Sequence, residues 1–427
     1  MCKYGFNSRM FGGNCNLFGL KQLKSRATVM TMMMKCYFFI RAFILSFFCQ
    51  VGWRLSFSIL FLLFFNSLYA LKILVVVGTF PLICETVILN QITGLIDNGH
   101  DVYIYARRKG NIKKMQPDVN RYQLLNRVYY KAYPKNINTY DVILAQFGPR
   151  GTDFRKIKEK GFTGKLVTCF RGSDITRDVP KHIDRYQELF ANGDLFLPVC
   201  DYFKEKLICY GCPEQKIVTH YSAIDLDHFV FKRKKLSEDG IIRIISVGRL
   251  VEKKGFAYLV NAIWLLVKKY PNIQCTIVGD GPLYSRLDRR IKKFKLTKHI
   301  TVSGWVTHET LIELFEQSDI FVLPSVTARD GDKEGIPNTL KEAMAFGLPV
   351  ISTYHAGIPE LIEHHATGLL VPEKSADVLA TAIEWLITHT GCWKSITHAA
   401  RIRIETYFDA KKNSIQLSEL LEQLYRM

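Results

Sequence analysis

Short runs of Val, Ile and Leu alternate along this chain with longer amphipathic stretches, a pattern that predicts two doubly wound α/β domains placed in tandem. A charged segment, Phe231–Lys–Arg–Lys–Lys–Leu–Ser–Glu–Asp–Gly240, breaks the alternation, which restarts at Ile241. Several apolar runs end in glycine turns, the places where ligands meet open α/β sheets. With 427 residues, 48% apolar and 23% charged, the chain is long enough for two ordinary domains, each with its own core.

The first domain is expected over residues 71–235. Strand Leu71–Lys–Ile–Leu–Val–Val–Val77 leads through Gly78–Thr–Phe–Pro81 into a helical run from Glu85 to Asn98, then into Gly99–His–Asp–Val–Tyr–Ile–Tyr–Ala106, one βαβ unit. Further strands are read at Asp141–Ala145, Lys165–Phe170, Leu195–Pro198 and Lys216–Thr219. The second domain, residues 241–405, places strands at Ile241–Val247, Ile273–Val278, Ile300–Val302, Ile320–Leu323, Val350–Ser352 and Leu369–Val371. Residues 406–427 read as a terminal helix crossing back to the first domain.

Residues 1–70 stand apart. They carry eight basic and no acidic side chains, and Tyr37–Phe48 and Leu55–Ala70 are strongly apolar. The first strand follows with no linker, so this stretch is expected outside the folded domains, either as upstream sequence or as a membrane-surface anchor. The remaining net charge is milder, +8 over residues 71–240 and +3 over residues 241–427. The 11 cysteines do not form a disulfide scaffold, and Cys209 and Cys212, the one C-x-x-C, lack the second pair that a zinc site needs. No metal is expected, and the compartment reads as reducing.

Chemistry concentrates in Asp330–Gly–Asp–Lys–Glu–Gly–Ile–Pro–Asn–Thr–Leu–Lys–Glu–Ala–Met344. Glu334 falls on a loop between a buried strand and a helix. Gly335 is expected to let a ligand approach the backbone, and Pro337 to occupy the first helical position. The free N–H groups of the first helical turn and the positive end of the helix dipole then suit a diphosphate, with Glu342 placed to accept from sugar or ribose hydroxyls. Gly248 ends the first strand of the second domain; Arg249 and Lys254 follow it as cations able to neutralise that diphosphate without metal. Gly304–Trp–Val306 would bring a backbone edge and an aromatic near a base.

Val247–Gly–Arg–Leu, Lys254–Gly, Val278–Gly–Asp–Gly–Pro, Gly304–Trp–Val, Leu323–Pro–Ser, Glu334–Gly–Ile–Pro and Glu342–Ala–Met–Ala, in this order and spacing, resemble the family 4 retaining glycosyltransferases of the two-Rossmann, GT-B type. The stretch Val326–Pro337 is most similar to the colanic-acid and amylovoran type. The resemblance implies two Rossmann-like domains facing across a cleft, the first holding the acceptor and the second a UDP- or GDP-sugar. It implies that Arg249 and Lys254 hold the donor diphosphate, Glu334 meets the transferred sugar, Ile336, Pro337, Asn338 and Thr339 form the stretch that offers backbone N–H groups, Glu342 meets the ribose, and Gly78 approaches the phosphates as the cleft closes. A lipid-linked saccharide acceptor and work at the cytoplasmic face of a bacterial inner membrane follow from the same likeness; the basic residues Arg107, Arg108, Lys109, Lys113 and Lys114 are expected either to meet anionic lipid or to form a solvated loop, and with no recognition motif for nucleic acid no such partner is expected.

Two positions depart from the family pattern. Arg171, in Phe170–Arg–Gly–Ser–Asp174, and Gln146, in Gln146–Phe–Gly148, each stand where members often have histidine. Arginine stays protonated, so Arg171 is expected to bind an anionic group or stabilise the leaving group, unless it only contacts Asp174. Two rival readings carry less. A nucleotide-sugar epimerase or phosphorylase of the same fold would need its own acid/base set, and a non-catalytic basic binder gains nothing from the Glu334 loop.

Overall fold

The computed structural model describes residues 70–83 and 85–427. The apolar runs expected outside the fold lie outside the described residues. Two six-stranded, all-parallel sheets organise the rest, in the orders β3-β2-β1-β4-β5-β6 and β12-β11-β10-β7-β8-β9. Both are wound outwards in two directions from a central pair (β1 with β4, β7 with β10), and each therefore has a crevice at the carboxyl edge where the winding reverses.

The first sheet comprises β1 (Lys72–Phe80), β2 (Asp101–Lys109), β3 (Val128–Tyr130), β4 (Val142–Gln146), β5 (Lys165–Phe170) and β6 (Leu195–Pro198). Its central strands are apolar on both faces, as strands covered by helices on each side must be. Helix α1 (Thr86–Asp97) covers one face, burying Ile88, Leu89, Ile92 and Leu95, while α2 (Gly148–Asp153), α3 (Ile183–Asn192) and α4 (Asp201–Cys209) complete the domain. Three readings are corrected here. β1 and β2 each run three residues further than their apolar runs, because they stay paired through Phe80 and Lys109. β3, a three-residue edge strand, gave too short an apolar run to be read. Lys216–Thr219 is not a strand: only Ile217 bridges to Phe196, after a tight turn at Glu214–Lys216.

The second sheet contains β7 (Ile242–Val247), β8 (Ile273–Val278), β9 (Ile300–Gly304), β10 (Ile320–Val322), β11 (Val350–Thr353) and β12 (Leu369–Val371). Helices α5 (Phe256–Leu266), α6 (Tyr284–Lys293), α7 (His308–Gln317), α8 (Asn338–Phe346) and α9 (Ala376–Thr388) pack against it. Tight glycine contacts shape its carboxyl edge. A Cβ on Gly279 would lie 2.0 Å from the Gly248 carbonyl oxygen and one on Gly255 1.8 Å from that of Pro324, so the turns after β7, β8 and β10 are pressed together.

The charged segment before β7 is fastened to the second domain, with Lys232 N–H donating to Phe346 O and Ser237 N–H to the Asp319 carboxylate. After α10 (Trp393–Tyr407), α11 (Ala410–Arg426) lies on α1. There Leu417 and Leu421 enter the first sheet's core, and the Gly94 backbone comes so near Ser414 that a Cβ would meet its side chain at 2.4 Å.

Candidate active site

A cavity of about 650 Å³ opens between the carboxyl edges of the two sheets, a size suited to a nucleotide-sugar. Its floor is the start of α8. Pro337, with φ −61° and ψ 129°, is extended and precedes the helix rather than starting it, so the first helical residue is Asn338. No side chain caps the helix, and its first N–H groups and dipole are left for a ligand in the cavity. Thr339 uses its hydroxyl on Val247 O at 3.1 Å, which ties the helix start to the end of β7.

Glu334 is buried at the cavity wall beside two ammonium groups, Lys254 at 3.3 Å and Lys253 at 3.5 Å. Burial raises its carboxyl, but Lys254 and Lys253 outweigh that effect and hold it below the ordinary carboxylate range. Its Oε1 has the Lys253 ammonium 3.5 Å away but accepts no hydrogen bond, a place that a hydroxyl could fill. The Glu334 backbone is fixed from behind. Its N–H donates to His355 Nε2 at 3.0 Å, and His355 Nδ1 meets Glu373 at 2.6 Å, an arrangement that assigns the ring proton to Nδ1 and keeps His355 neutral. Burial likewise lowers the His355 pKa.

Lys254 owes its place to Gly248, where a Cβ would press on the lysine stem at 3.2 Å. Arg249 is exposed on the same wall and has no ion-pair partner among the described residues. Glu342 lies about one turn into α8 and faces the cavity; burial pushes its carboxyl up to about 7, against the pull of Lys341 and Lys254. Lys341 points the other way, wholly buried, and donates to Ser222 O of the first domain.

The first domain supplies the opposite wall through Glu85, Val87, Ile88, Phe147, Arg171 and Ser222. Asp174 does not pair with the Arg171 guanidinium; it accepts the backbone N–H groups of Arg171, Gly172 and Gly148. The guanidinium instead donates to Gln146 Oε1 at 2.7 Å, Gln91 Oε1 at 2.7 Å and Ser222 Oγ at 3.0 Å. The two departures from the family pattern are thus bonded to each other. Glu85, at the head of α1, is the one carboxylate this domain contributes to the cavity; burial raises its pKa and Arg171 opposes that.

A family model described as Glycosyl transferases group 1 matches residues 228–403. The amylovoran biosynthesis glycosyltransferase AmsK of Erwinia amylovora is 34% identical over 398 residues, 81% of this chain and 98% of that protein. This chain belongs to that glycosyltransferase family. A relative in Escherichia coli strain K12, named for colanic acid biosynthesis, is 33% identical over the same shares of both chains. Among solved structures, Anabaena Alr3699/HepE in complex with UDP aligns with a TM-score of 0.70 at 18% identity, over 82% of this chain and 100% of that one. The likeness in structure shows the GT-B fold: two Rossmann-like domains facing across a cleft.

In this glycosyltransferase the cavity gathers Arg171, Gly248, Arg249, Lys254, Val306, Glu334, Gly335, Ile336, Pro337, Asn338, Thr339 and Glu342. Gly78 is the exception. It lies within β1, not in a strand-to-helix turn, and lines a separate cavity with Arg107, Arg108 and Arg150. Gly335 also needs a different reason from the one its sequence suggested. A Cβ there would meet Val199 at 2.9 Å and Phe203 at 3.2 Å, so glycine permits the two domains to touch. Trp305, 60% exposed beside Val306, belongs to the cavity rim and not to a core.

Lys253, His355, Glu373 and Glu85 escaped the sequence. Lys253 had a signal, its adjacency to Lys254, but the tight turn at Glu252–Lys254 that aims both ammonium groups at Glu334 is not written in the spacing.

Proposed function

We propose that this glycosyltransferase moves a sugar, with retention of anomeric configuration, from a nucleotide-diphosphate sugar to a lipid-linked saccharide during bacterial cell-surface polysaccharide assembly. It would work at the cytoplasmic face of the membrane. The observation that carries the donor half is the juxtaposition of an uncapped helix start, two lysines and Glu334 with an unsatisfied oxygen around one cavity. The pathway half rests on likeness to proteins named for amylovoran and colanic acid biosynthesis.

Breaking the bond to the anomeric carbon builds negative charge on the departing diphosphate. Lys254 and the α8 dipole are fixed beside the place where that charge would develop, so they need no reorganisation as it forms, and Arg249, exposed on the same wall, would add a further positive charge. Glu334 would accept from a hydroxyl of the transferred sugar through Oε1, while its other oxygen stays with Lys254. Glu342 would accept from the ribose. The acceptor hydroxyl would then attack the anomeric carbon on the same face that the diphosphate leaves, its proton passing to the departing diphosphate oxygen, with Arg171 steadying the departing charge from across the cleft.

Thermal-shift titration with UDP, GDP and their sugars tests the reading. One nucleotide class should raise the melting temperature, and Lys254→Ala should weaken that ligand by about tenfold to a hundredfold, the loss of one charge-assisted contact. Absence of a shift with every nucleotide would overturn the assignment.

A further inference from the structure

The loop after β7 serves two hollows. Gly248, Arg249 and Lys254 line the donor cavity, while Leu250, Val251, Glu252 and Gly255 line a separate cleft of about 160 Å³ that this loop encloses with α5 and α6. The two share no lining residue. The loop between them is held firmly: Leu250 N–H donates to Asp280 O at 2.8 Å, Leu250 O accepts from Leu283 N–H at 3.1 Å, and Lys253 O accepts from Val326 N–H at 2.8 Å. The cleft is well below the range of about 300–1,000 Å³ that holds drug-sized ligands, so it suits an occupant no larger than a single ring with one head group.

Its lining divides by chemistry. Leu250, Phe256, Leu283 and Leu287 supply apolar surface, and the polar groups beside them are chiefly donors. Arg286 has no ion-pair or hydrogen-bond partner among the described residues, and the Tyr258 hydroxyl is likewise unengaged. Arg290 donates through Nε to Asn261 Oδ1 at 2.9 Å, which engages that amide's oxygen and leaves its Nδ2 free to donate. Glu252, the one carboxylate of the lining, is paired with the exposed Arg329 at 3.4 Å. Three guanidinium groups, of Arg286, Arg290 and Arg329, against one carboxylate leave a surplus of two positive charges, which a phosphate monoester at about −2 matches. The apolar surface beside them selects an ester with an apolar body.

We propose that this cleft is an effector site for a small phosphate monoester with an apolar body, and that its occupancy tightens donor binding. Arg329 belongs to the loop that runs on to Glu334, and Glu252 to the turn that carries Lys253 and Lys254. A ligand held by Arg286, Arg290 and Arg329 would therefore fasten both donor-holding segments at once. Segments fixed beforehand cost the donor less to order, and the coupling is reciprocal. The site stands on its own lining; its effect on the donor rests on the transferase reading above.

Benzyl phosphate is the probe. Calorimetric titration of the full chain should show one binding event, which Arg286→Ala and Arg329→Ala, both at exposed positions that do not threaten folding, should each weaken by about tenfold. Lys254→Ala, in the donor cavity, should leave it within about twofold. Inorganic phosphate and benzyl alcohol should each bind about tenfold more weakly or worse, since each lacks half of what the lining recognises. The nucleotide identified by thermal shift should then bind about threefold to tenfold more tightly with benzyl phosphate present, a gain that Arg286→Ala abolishes. Benzyl phosphate binding that is absent, indifferent to both arginine substitutions, or removed by Lys254→Ala overturns the site. Equal affinity for inorganic phosphate overturns the apolar half of the assignment, and nucleotide affinity that is unaltered or lowered overturns the effector role. A chain that binds benzyl phosphate in this pattern but no nucleotide would strike the donor reading and the effector role while the site stands, so the failures are distinct.

Discussion

Glu342 is the residue whose protonation the cavity sets most sharply, its carboxyl being pushed up to about 7. A ribose hydroxyl donates to the ionised carboxylate and gains less from the neutral acid. Affinity for a UDP-sugar, whose diphosphate diester does not titrate near neutrality, should therefore fall as pH drops from about 8 to 6, by at most about tenfold per unit. Glu342→Gln should flatten that dependence in a calorimetric pH series; an unchanged slope would remove Glu342 from the ribose. Arg171 supports a second prediction. Because it shares two amide oxygens and Ser222 with its neighbours, Arg171→His alone leaves Gln146 Oε1 without a donor and Gln91 Oε1 with only the Gln146 amide. The double change Gln146→His with Arg171→His should recover part of the lost kcat, a coupling of about 0.5–3 kcal/mol in a double-mutant cycle. Strictly additive effects would deny that the two positions act as a unit. Residues such as Arg249, Lys254, Glu334 and Glu342 were legible because each follows a strand or heads a helix in its own segment. Glu85 was not, since only the closing of two sheets brings the head of α1 to the cavity.

Among the elements, α8 matters most, and what holds its approach is the loop running into it. Glu334 is kept in place by a hydrogen bond to His355, itself held by Glu373, which also accepts from Thr327 N–H and so ties together the loops after β10, β11 and β12. His355→Phe removes the acceptor and leaves a buried N–H unpaired, a penalty of about 1–3 kcal/mol. The expected outcome is a loss of kcat with the donor, measured alongside a modest drop in melting temperature; His355→Gln, which can still accept, should keep more of both. If Phe and Gln variants turned over alike, His355 would be packing only. Strand existence was readable wherever apolar runs were long, but strand ends were not. The last three residues of β2 are charged and exposed, and only their pairing with Thr79 and Phe80 makes them strand. Lys216–Thr219 erred oppositely: its apolar pair looks like strand, yet its pairing with β6 amounts to the single bridge of Ile217 with Phe196.

Over the whole molecule, the first domain is completed by the chain's far end. His220 Nε2 meets Asn413 O at 3.2 Å, and His100, which accepts Leu71 N–H through Nδ1, bonds Ser418 through Nε2. Both histidines therefore hold α11 to the first domain as neutral rings. Exposed ion pairs across the cleft, such as Arg177 with Asp330 at 2.7 Å, add little by comparison and weaken with salt. Burial depresses the His220 pKa to about 4, and lowers that of His100 as well. The unfolded imidazole takes up its proton below about 6.5, the folded one only near 4, so in that window the unfolded chain binds more protons and stability falls as pH falls. The His220 contribution, on the order of 3 kcal/mol, should be fully present above about pH 6.5 and lost by about pH 4. Urea unfolding followed across that range should show the decline, and His220→Gln, whose amide can still donate to Asn413 O, should reduce its slope. A slope that the substitution leaves intact would place the acid sensitivity elsewhere than in the seam between α11 and the first domain.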